Sequence, residues 1–183
     1  MIKNYDSGFH YTKAQLSAFP DPVEAFKRRG AHWTFDGSSF VSCLKKLKEN
    51  GKFSFPSFDH GVGDPVNNDI NVNENHHVVI IEGNYLLLNE QPWSEIKNIL
   101  DFCYFIDVDI ETVEKRVFSR HCKYYSEELS MQKVFFLFLF FFCQIVCFLI
   151  LINYLLKVTY NDSPNAKLIL ETKNFANKII KSL

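Results

Sequence analysis

The sequence has almost no net charge and no disulfide or zinc-binding pattern. Its 183 residues carry a formal net charge of −1, so composition gives no electrostatic case for nucleic acid or anionic lipid as a partner. The five cysteines are odd in number and never spaced Cys-x-x-Cys, which argues against a disulfide framework or zinc site and favours a reducing compartment. The N-terminal residues show no apolar core of a secretory signal, so we expect a cytoplasmic protein.

A phosphate-binding loop of the form Gly-x-x-x-x-Gly-Lys-Ser/Thr is also missing from the 183 residues. The only Gly-Lys pair, Gly51-Lys52, is followed by Phe53 and comes after a predicted helix rather than before one. Because that loop supplies the backbone N–H groups that surround the phosphates of a nucleotide, these residues alone predict no such site.

Residues 134–156 form a long apolar run, VFFLFLFFFCQIVCFLILINYLL, without a charged residue. As a helix at about 1.5 Å per residue it would reach about 30 Å, enough to cross a bilayer. Its Phe, Leu, Ile, Asn and Tyr residues are also what codons rich in T and A encode. A transmembrane helix and a translated intron are therefore both open interpretations.

Elsewhere, strand and helix patterns alternate, which predicts an α/β fold with a mainly parallel sheet. Asp36 is expected to cap a helix that runs to about Glu49 and ends at Asn50-Gly51. The aliphatic run within 77–83 predicts a strand buried on both faces. The remaining predicted strands are 52–58, 102–107 and 167–170, with a loop or hairpin at 65–75 and helices at 92–101, around residues 114–116 and at 174–183.

Several polar residues follow predicted strands or turns and could carry chemistry. Glu82 ends a strand, where a carboxylate can hold Mg²⁺, although capping the next turn is the alternative. Asp6, two residues before Gly8, could act as a general base towards a substrate hydroxyl, and His10 lies beside it; a loop Asp and a surface His are the alternative. Asp59 and His60 could bind substrate hydroxyls, or could form a polar hairpin tip.

Three arginines could bind phosphate oxygens, because the guanidinium group presents a planar pair of donors. Arg29 is expected to bind substrate. Arg116 and Arg120 lie four residues apart, on one face of a predicted helix. A solvated charged face is the alternative for all of them.

Five segments together resemble the phosphoribulokinase/uridine kinase family: GFHYTKAQLSAFPDPVEAFKRRGAHWTFD, FPSFDHGVGDP, VVIIEGNYLLL, FIDVDIETVEKRVFSRH and VTYNDSPNAKLI. The resemblance implies a P-loop NTPase-type α/β fold, with a mainly parallel sheet flanked by helices, that is incomplete because the first strand and the P-loop are not among these residues. It implies transfer of the ATP γ-phosphate to a hydroxyl of a nucleoside, sugar or similar metabolite, with ATP and Mg²⁺ as cofactors. The chain as printed is expected to be inactive, and a non-catalytic binding protein or a membrane-anchored protein are the alternatives.

The resemblance also assigns roles to particular residues. Asp6, Glu82, Arg116 and Arg120 would be catalytic, with Glu82 near the metal, although the family order Asp-Gly-Phe-His is here Asp6-Ser7-Gly8. The acceptor would be contacted by His10, Asp59 and His60. The nucleotide base would be contacted by Asn161, Asp162, Pro164 and Asn165.

The apolar run separates two pieces that resemble one kinase domain, so we divide the chain into 1–133, an insert at 134–157, and 158–183. We expect transcripts from this locus to lack the codons for roughly 134–157, because a membrane span there would place two parts of one site on opposite sides of a bilayer. Long-read cDNA checks this. Retained codons, together with a protein of the printed mass that resists carbonate extraction from membranes, would contradict it.

Overall fold

A computed structural model of the chain describes residues 2–4, 7–59, 61–120 and 157–182. They fall into two compact units, one formed by the chain up to Asp107 together with Leu168–Ser182, the other by Val108–Lys167. The predicted domain boundaries at residues 133 and 157 stay a prediction, because residues 121–156, with the apolar run, lie outside the described part of the chain.

The first unit begins with a short strand that the sequence analysis did not predict. Strand β1 is Ile2–Asn4, and a single 3-10 turn, Ser7–Phe9, follows it. Two short helices, α1 (Lys13–Ser17) and α2 (Pro22–Lys27), are capped by the side chains of Thr12 and Asp21. A second 3-10 turn spans His32–Thr34.

The longest helix of the unit, α3, spans Gly37–Asn50 and confirms its prediction. The Asp36 carboxylate accepts a hydrogen bond from the Ser39 N–H at 2.9 Å, which caps the first turn. Gly51 ends the helix in the left-handed conformation, with φ of 68°. Phe40 and Leu44 on its apolar face are buried, so this helix is one wall of the core.

An antiparallel hairpin packs beside these helices. Strand β2 (Phe53–Asp59) pairs with β3 (Asp64–Val72), and the register shifts between Phe55 and Ser57. The predicted strand at 52–58 is confirmed. Residues 65–75, predicted as a loop or hairpin, are mostly the second strand of the hairpin, whose turn comes before Asp64. The core between helices and hairpin is made of Phe9, Phe35, Phe40, Val41, Leu44, Phe55, Ile70, Val72, Tyr85, Leu88, Trp93 and Ile96.

Two further strand pairs are parallel. Strand β4 (Ile80–Glu82) pairs with β1, with Asn4 opposite Glu82. A 3-10 turn (Trp93–Glu95) and a short helix α4 (Ile96–Ile99) lead to β5 (Tyr104–Asp107), which pairs with β6 (Lys178–Lys181).

The prediction that these parallel strands are buried on both faces was wrong for one face. Val79 and Ile81 pack against the core, whereas Val78 and Ile80 are 65% and 46% exposed. In β5, Phe105 is buried, while Tyr104 and Ile106 are 57% and 66% exposed. The strand alternation therefore gives one inner face on the core and one apolar outer face towards solvent.

The order predicted for the C-terminal end was also wrong. After β5 the chain forms helix α5 over residues 110–120 and, later, helix α6 (Ser163–Glu171). Residues 167–170, predicted as a strand, lie within α6, and Lys178–Lys181, predicted as helical, is strand β6. Leu168 and Ile169 pack against the core from the helix. The Asn177 side chain accepts from the Cys103 N–H at 2.7 Å, so the chain enters β6 already aligned with β5.

The second unit contains α5, whose first turn is capped by Asp109. Its carboxylate accepts from the Thr112 N–H at 2.8 Å, and this hydrogen bond lowers the pKa of Asp109. A π-helical turn, Val158–Asp162, precedes α6. No helix within the described ranges is both long enough and apolar enough to cross a membrane.

Candidate acceptor site

The segment that carries His10 fits against the hairpin only because residue 8 is glycine. A Cβ atom added at Gly8 would lie 2.2 Å from the Pro56 carbonyl oxygen, far inside van der Waals contact. Pro56 sits at the register shift of β2, where the ladder is locally irregular. Gly8 thus allows the backbone before His10 to lie directly on the hairpin.

The His10 imidazole is held in an aromatic stack. Its ring centroid lies 3.9 Å from that of Phe35 and 4.9 Å from that of Phe58. Its Nδ1 atom is 2.8 Å from the Ser7 carbonyl oxygen. Because a carbonyl can only accept, this bond places a proton on Nδ1 and makes Nε2 the acceptor nitrogen of the neutral ring. This hydrogen bond and the two ring contacts fix the orientation of the imidazole.

The hairpin tip beyond Phe58 is organised by Asp59. One oxygen of its carboxylate accepts from the N–H groups of Gly61 and Val62, at 2.7 and 3.1 Å. These bonds support the alternative that Asp59 shapes the tip, and its contact with substrate stays a prediction. His60 lies outside the described residues.

Arg29 joins the tip to the segment after His10. Its guanidinium donates to the carbonyl oxygens of Gly63 and Tyr11, at 2.7 and 2.9 Å, and to Asp64 at 3.2 Å. Asp64 also accepts from the Lys13 N–H at 2.8 Å, at the start of α1. Arg29 therefore crosslinks three parts of the chain, and its predicted contact with substrate remains untested.

The Tyr11 ring packs edge-on against Phe19, with 5.3 Å between the ring centroids. Burial raises its pKa, and the nearby Asp36 carboxylate raises it further. The hydroxyl therefore keeps its proton at neutral pH and can act as a hydrogen-bond donor.

Glu82 lies at the carboxyl end of β4, opposite Asn4 in the parallel register. The chain passes from Asn4 through two residues to the Ser7–Phe9 turn, so Glu82 and the His10 segment extend from the same edge of this strand pair. That edge is where open α/β sheets bind ligands. Asp6, the predicted base, lies outside the described residues.

The predicted nucleotide-side residues lie in the second unit. Asn161 is buried, donates to Asp162 and accepts from the Asn165 side chain, each at 3.2 Å. Pro164, Arg116 and Arg120 are exposed. Ser163 donates to Glu114 at 2.7 Å, which links α6 to α5. Asn161 and Asn165 thus lie side by side, and the binding roles of all these residues stay predictions.

The residues present fit a metal and a nucleotide only in part. Among the described residues, no group of three or more His, Cys, Asp or Glu side chains could enclose a metal ion, so Glu82 could supply one ligand of a site completed by water and substrate oxygens. The 183 residues contain no Gly-x-x-x-x-Gly-Lys-Ser/Thr motif, the sequence that surrounds nucleotide phosphates in P-loop enzymes.

Sequence reasoning missed Phe35 and Phe58 as site residues, together with Lys13, Asp64 and Tyr85. Phe58 alone could have been suspected, because it directly precedes the predicted substrate residues Asp59 and His60. Phe35 lies 25 positions beyond His10 and carries no local signal.

The model of the phosphoribulokinase/uridine kinase family matches residues 13–127. An ATP-dependent kinase-like protein of Aspergillus versicolor is 41% identical over 119 residues, covering 62% of this chain and 69% of that protein. A candidate uridine kinase of Schizosaccharomyces pombe is 41% identical over 116 residues, which cover 62% of this chain but only 49% of the relative. The chain thus spans about half the length of the S. pombe protein.

Solved structures share the fold. The crystal structure of a candidate fructose transport system kinase from Silicibacter has a TM-score of 0.74 at 23% identity and covers 98% of this chain and 73% of its own. YFH7 from Saccharomyces cerevisiae, a candidate P-loop containing kinase with a circular permutation, has a TM-score of 0.71 at 25% identity, covering 99% and 57%. These likenesses confirm the predicted α/β fold of the P-loop kinase type. Because the family model matches well over half of the chain, the chain belongs to the phosphoribulokinase/uridine kinase family.

Proposed function

We propose that this chain supplies the acceptor side of an ATP-dependent small-molecule kinase, which transfers a phosphoryl group to a hydroxyl of a small metabolite. The observation that carries the proposal is the fixed His10 ring, which stacks on Phe58 beside the hairpin tip. Its segment extends from the strand edge that bears Glu82. A hydroxyl acceptor and a carboxylate near the transferring group are what such a reaction needs on one side of the site.

The side chains around His10 support a hydroxylated acceptor. Aromatic rings, an imidazole and polar turn atoms would suit a small hydroxylated molecule such as a nucleoside, a sugar or a pantothenate-like compound. Names of the relatives point in the same direction, since they include a candidate uridine kinase and a candidate fructose transport system kinase.

Individual roles are assigned on the same basis. His10 would accept a hydrogen bond from the acceptor hydroxyl. Asp59 and His60 would also contact the acceptor, and Asp6 would be the general base. Glu82 would be a metal ligand. Arg116 and Arg120 would neutralise phosphoryl charge, and the nucleotide base would contact Asn161, Asp162, Pro164 and Asn165. A phosphate loop would have to be supplied by residues outside the 183 printed here.

The purified 183-residue chain is expected to bind an acceptor but not Mg·ATP. Without a loop of backbone N–H groups around the β-phosphate, affinity for the triphosphate is lost. Calorimetry measures the affinity for Mg·ATP, and NMR titration with uridine, fructose and pantothenate measures acceptor binding. Micromolar binding of ATP would contradict the first expectation, that the chain does not bind Mg·ATP. The absence of a shift with all three acceptors would contradict the second, that it binds an acceptor.

A second experiment separates a kinase from a non-catalytic binding protein, the alternative favoured by the missing loop. The chain is fused to the phosphate-loop segment of YFH7 from Saccharomyces cerevisiae, a candidate P-loop containing kinase, and product is sought by mass spectrometry after incubation with ATP and the acceptor that shifted. A phosphorylated acceptor supports the kinase. Acceptor binding without any product in a folded fusion supports the binding protein.

A further inference from the structure

We propose that Arg29 is a positioning residue, which sets the orientation of the His10 ring through Phe58 instead of contacting the acceptor. The inference rests on the proposed function only in treating His10 as part of the acceptor site. It assigns to Arg29 a role different from the direct substrate contact that its charge suggests.

The first step is that the guanidinium is committed to the protein. Arg29 donates to the Gly63 and Tyr11 carbonyl oxygens and to Asp64, and its side chain is 17% exposed. The planar group uses its fork of N–H donors to reach the hairpin tip and the segment after His10 at once. A lysine has one nitrogen and cannot hold the same three acceptors in that geometry.

The second step is a continuous stack that runs from Arg29 to His10. The guanidinium carbon lies 5.5 Å from the centroid of the Phe58 ring, within cation–π range. The Phe58 ring lies 4.9 Å from that of His10, and His10 lies 3.9 Å from Phe35. A displacement of the guanidinium therefore moves Phe58, and with it one of the two rings that orient the imidazole.

The third step is that the stack closes on itself through Tyr85. The Phe35 ring lies 5.7 Å from Tyr85, which is 1% exposed. The Tyr85 hydroxyl donates to the carbonyl oxygen of Gly30 at 2.6 Å, directly after Arg29. Gly30 has a φ of 109°, a backbone conformation that favours glycine. Through the Tyr85 hydrogen bond, the backbone next to Arg29 is tied to the stack of Tyr85, Phe35, His10 and Phe58, which the Arg29 side chain contacts at its other end.

The test is the NMR signal of the His10 ring protons in the full 183-residue chain with ¹³C-labelled histidine. His10→Gln identifies the signal, and Phe58→Leu gives the size of the ring-current displacement that Phe58 causes. Arg29→Lys is expected to lose a large part of that displacement while the chain stays folded. Tyr85→Phe, which keeps the ring and deletes the hydroxyl, should cause a smaller loss in the same direction.

The matched control is Lys45→Met, which breaks the exposed Lys45–Glu95 ion pair in the same unit and should leave the His10 signal unchanged. If Arg29→Lys lowers the urea midpoint but leaves the His10 signal in place, Arg29 is merely structural and the proposal is overturned. If Arg29→Lys does not fold, an unchanged His10 signal in Tyr85→Phe overturns it. The readout needs neither acceptor nor ATP, so its failure is distinct from a failure to find phosphoryl transfer.

Discussion

Glu82→Gln should lower kcat by about 100-fold or more in a fusion that supplies a phosphate loop, with a change in the free energy of unfolding below about 0.5 kcal/mol. The carboxylate is exposed at the end of β4, so its replacement by an isosteric amide removes charge without opening a cavity. The substitution removes the negative charge with which Glu82 would bind the metal beside the transferring phosphoryl group. Steady-state kinetics with the acceptor identified by titration, alongside urea unfolding, measure both quantities.

The matched control is Glu74→Gln, which removes another exposed carboxylate of the same unit, paired with Lys52 at 2.9 Å. It should leave kcat unchanged, because Glu74 pairs with Lys52 on the surface, where an ion pair contributes little to stability. An equal kcat for wild type and Glu82→Gln would show that Glu82 only caps the turn after β4.

Gly8→Ala should destabilise the chain by about 3 kcal/mol, the upper range for overpacking. A single methyl group at this position meets the backbone carbonyl of Pro56 at 2.2 Å, and a backbone atom cannot move aside as a side-chain end can. The Ser7–Phe9 turn would have to separate from β2, which also moves His10 away from Phe58. Urea unfolding of the wild type and of Gly8→Ala measures the loss of free energy of unfolding, from the difference between the two midpoints when the denaturant slopes are equal.

Gly61→Ala is the control for Gly8. A Cβ there meets only the end of the Asp59 side chain, at 3.2 Å, so a cost of less than about 1 kcal/mol is expected. Equal losses for the two variants would mean that the close approach of Gly8 to Pro56 does not limit the packing of the site.

Local signals predicted those parts of the fold that local interactions decide. Asp36 and Gly51 fix the ends of α3 within one turn, so its bounds could be predicted from sequence alone. Strand β6 could not, because Ile179 and Ile180 become extended through pairing with β5, more than 70 positions earlier. Strand β1 is three residues long and shows no periodicity, and only its register with β4 defines it.

The site divides in the same way. The position of Glu82 at the end of a strand could be predicted, because a carboxylate directly after an aliphatic run marks a strand end, whereas its metal-binding role stays a prediction. The stack around His10 could not, since Phe35 and Phe58 come from a turn and a strand that meet only in the folded chain. The charge of Arg29 predicted phosphate binding, but its hydrogen bonds to Gly63 and Tyr11 depend on where the hairpin tip lies.

The outer face of the parallel strands affects how dye binding should be interpreted in any refolding study. Phe102, Tyr104 and Ile106 are exposed in the folded chain, and ANS fluorescence is the usual indicator of apolar surface in a molten globule. A well-folded preparation is therefore expected to enhance ANS fluorescence. The near-ultraviolet circular dichroism of buried Trp93, which fixed side-chain packing alone produces, is the signal that distinguishes the native state from a loosely packed one.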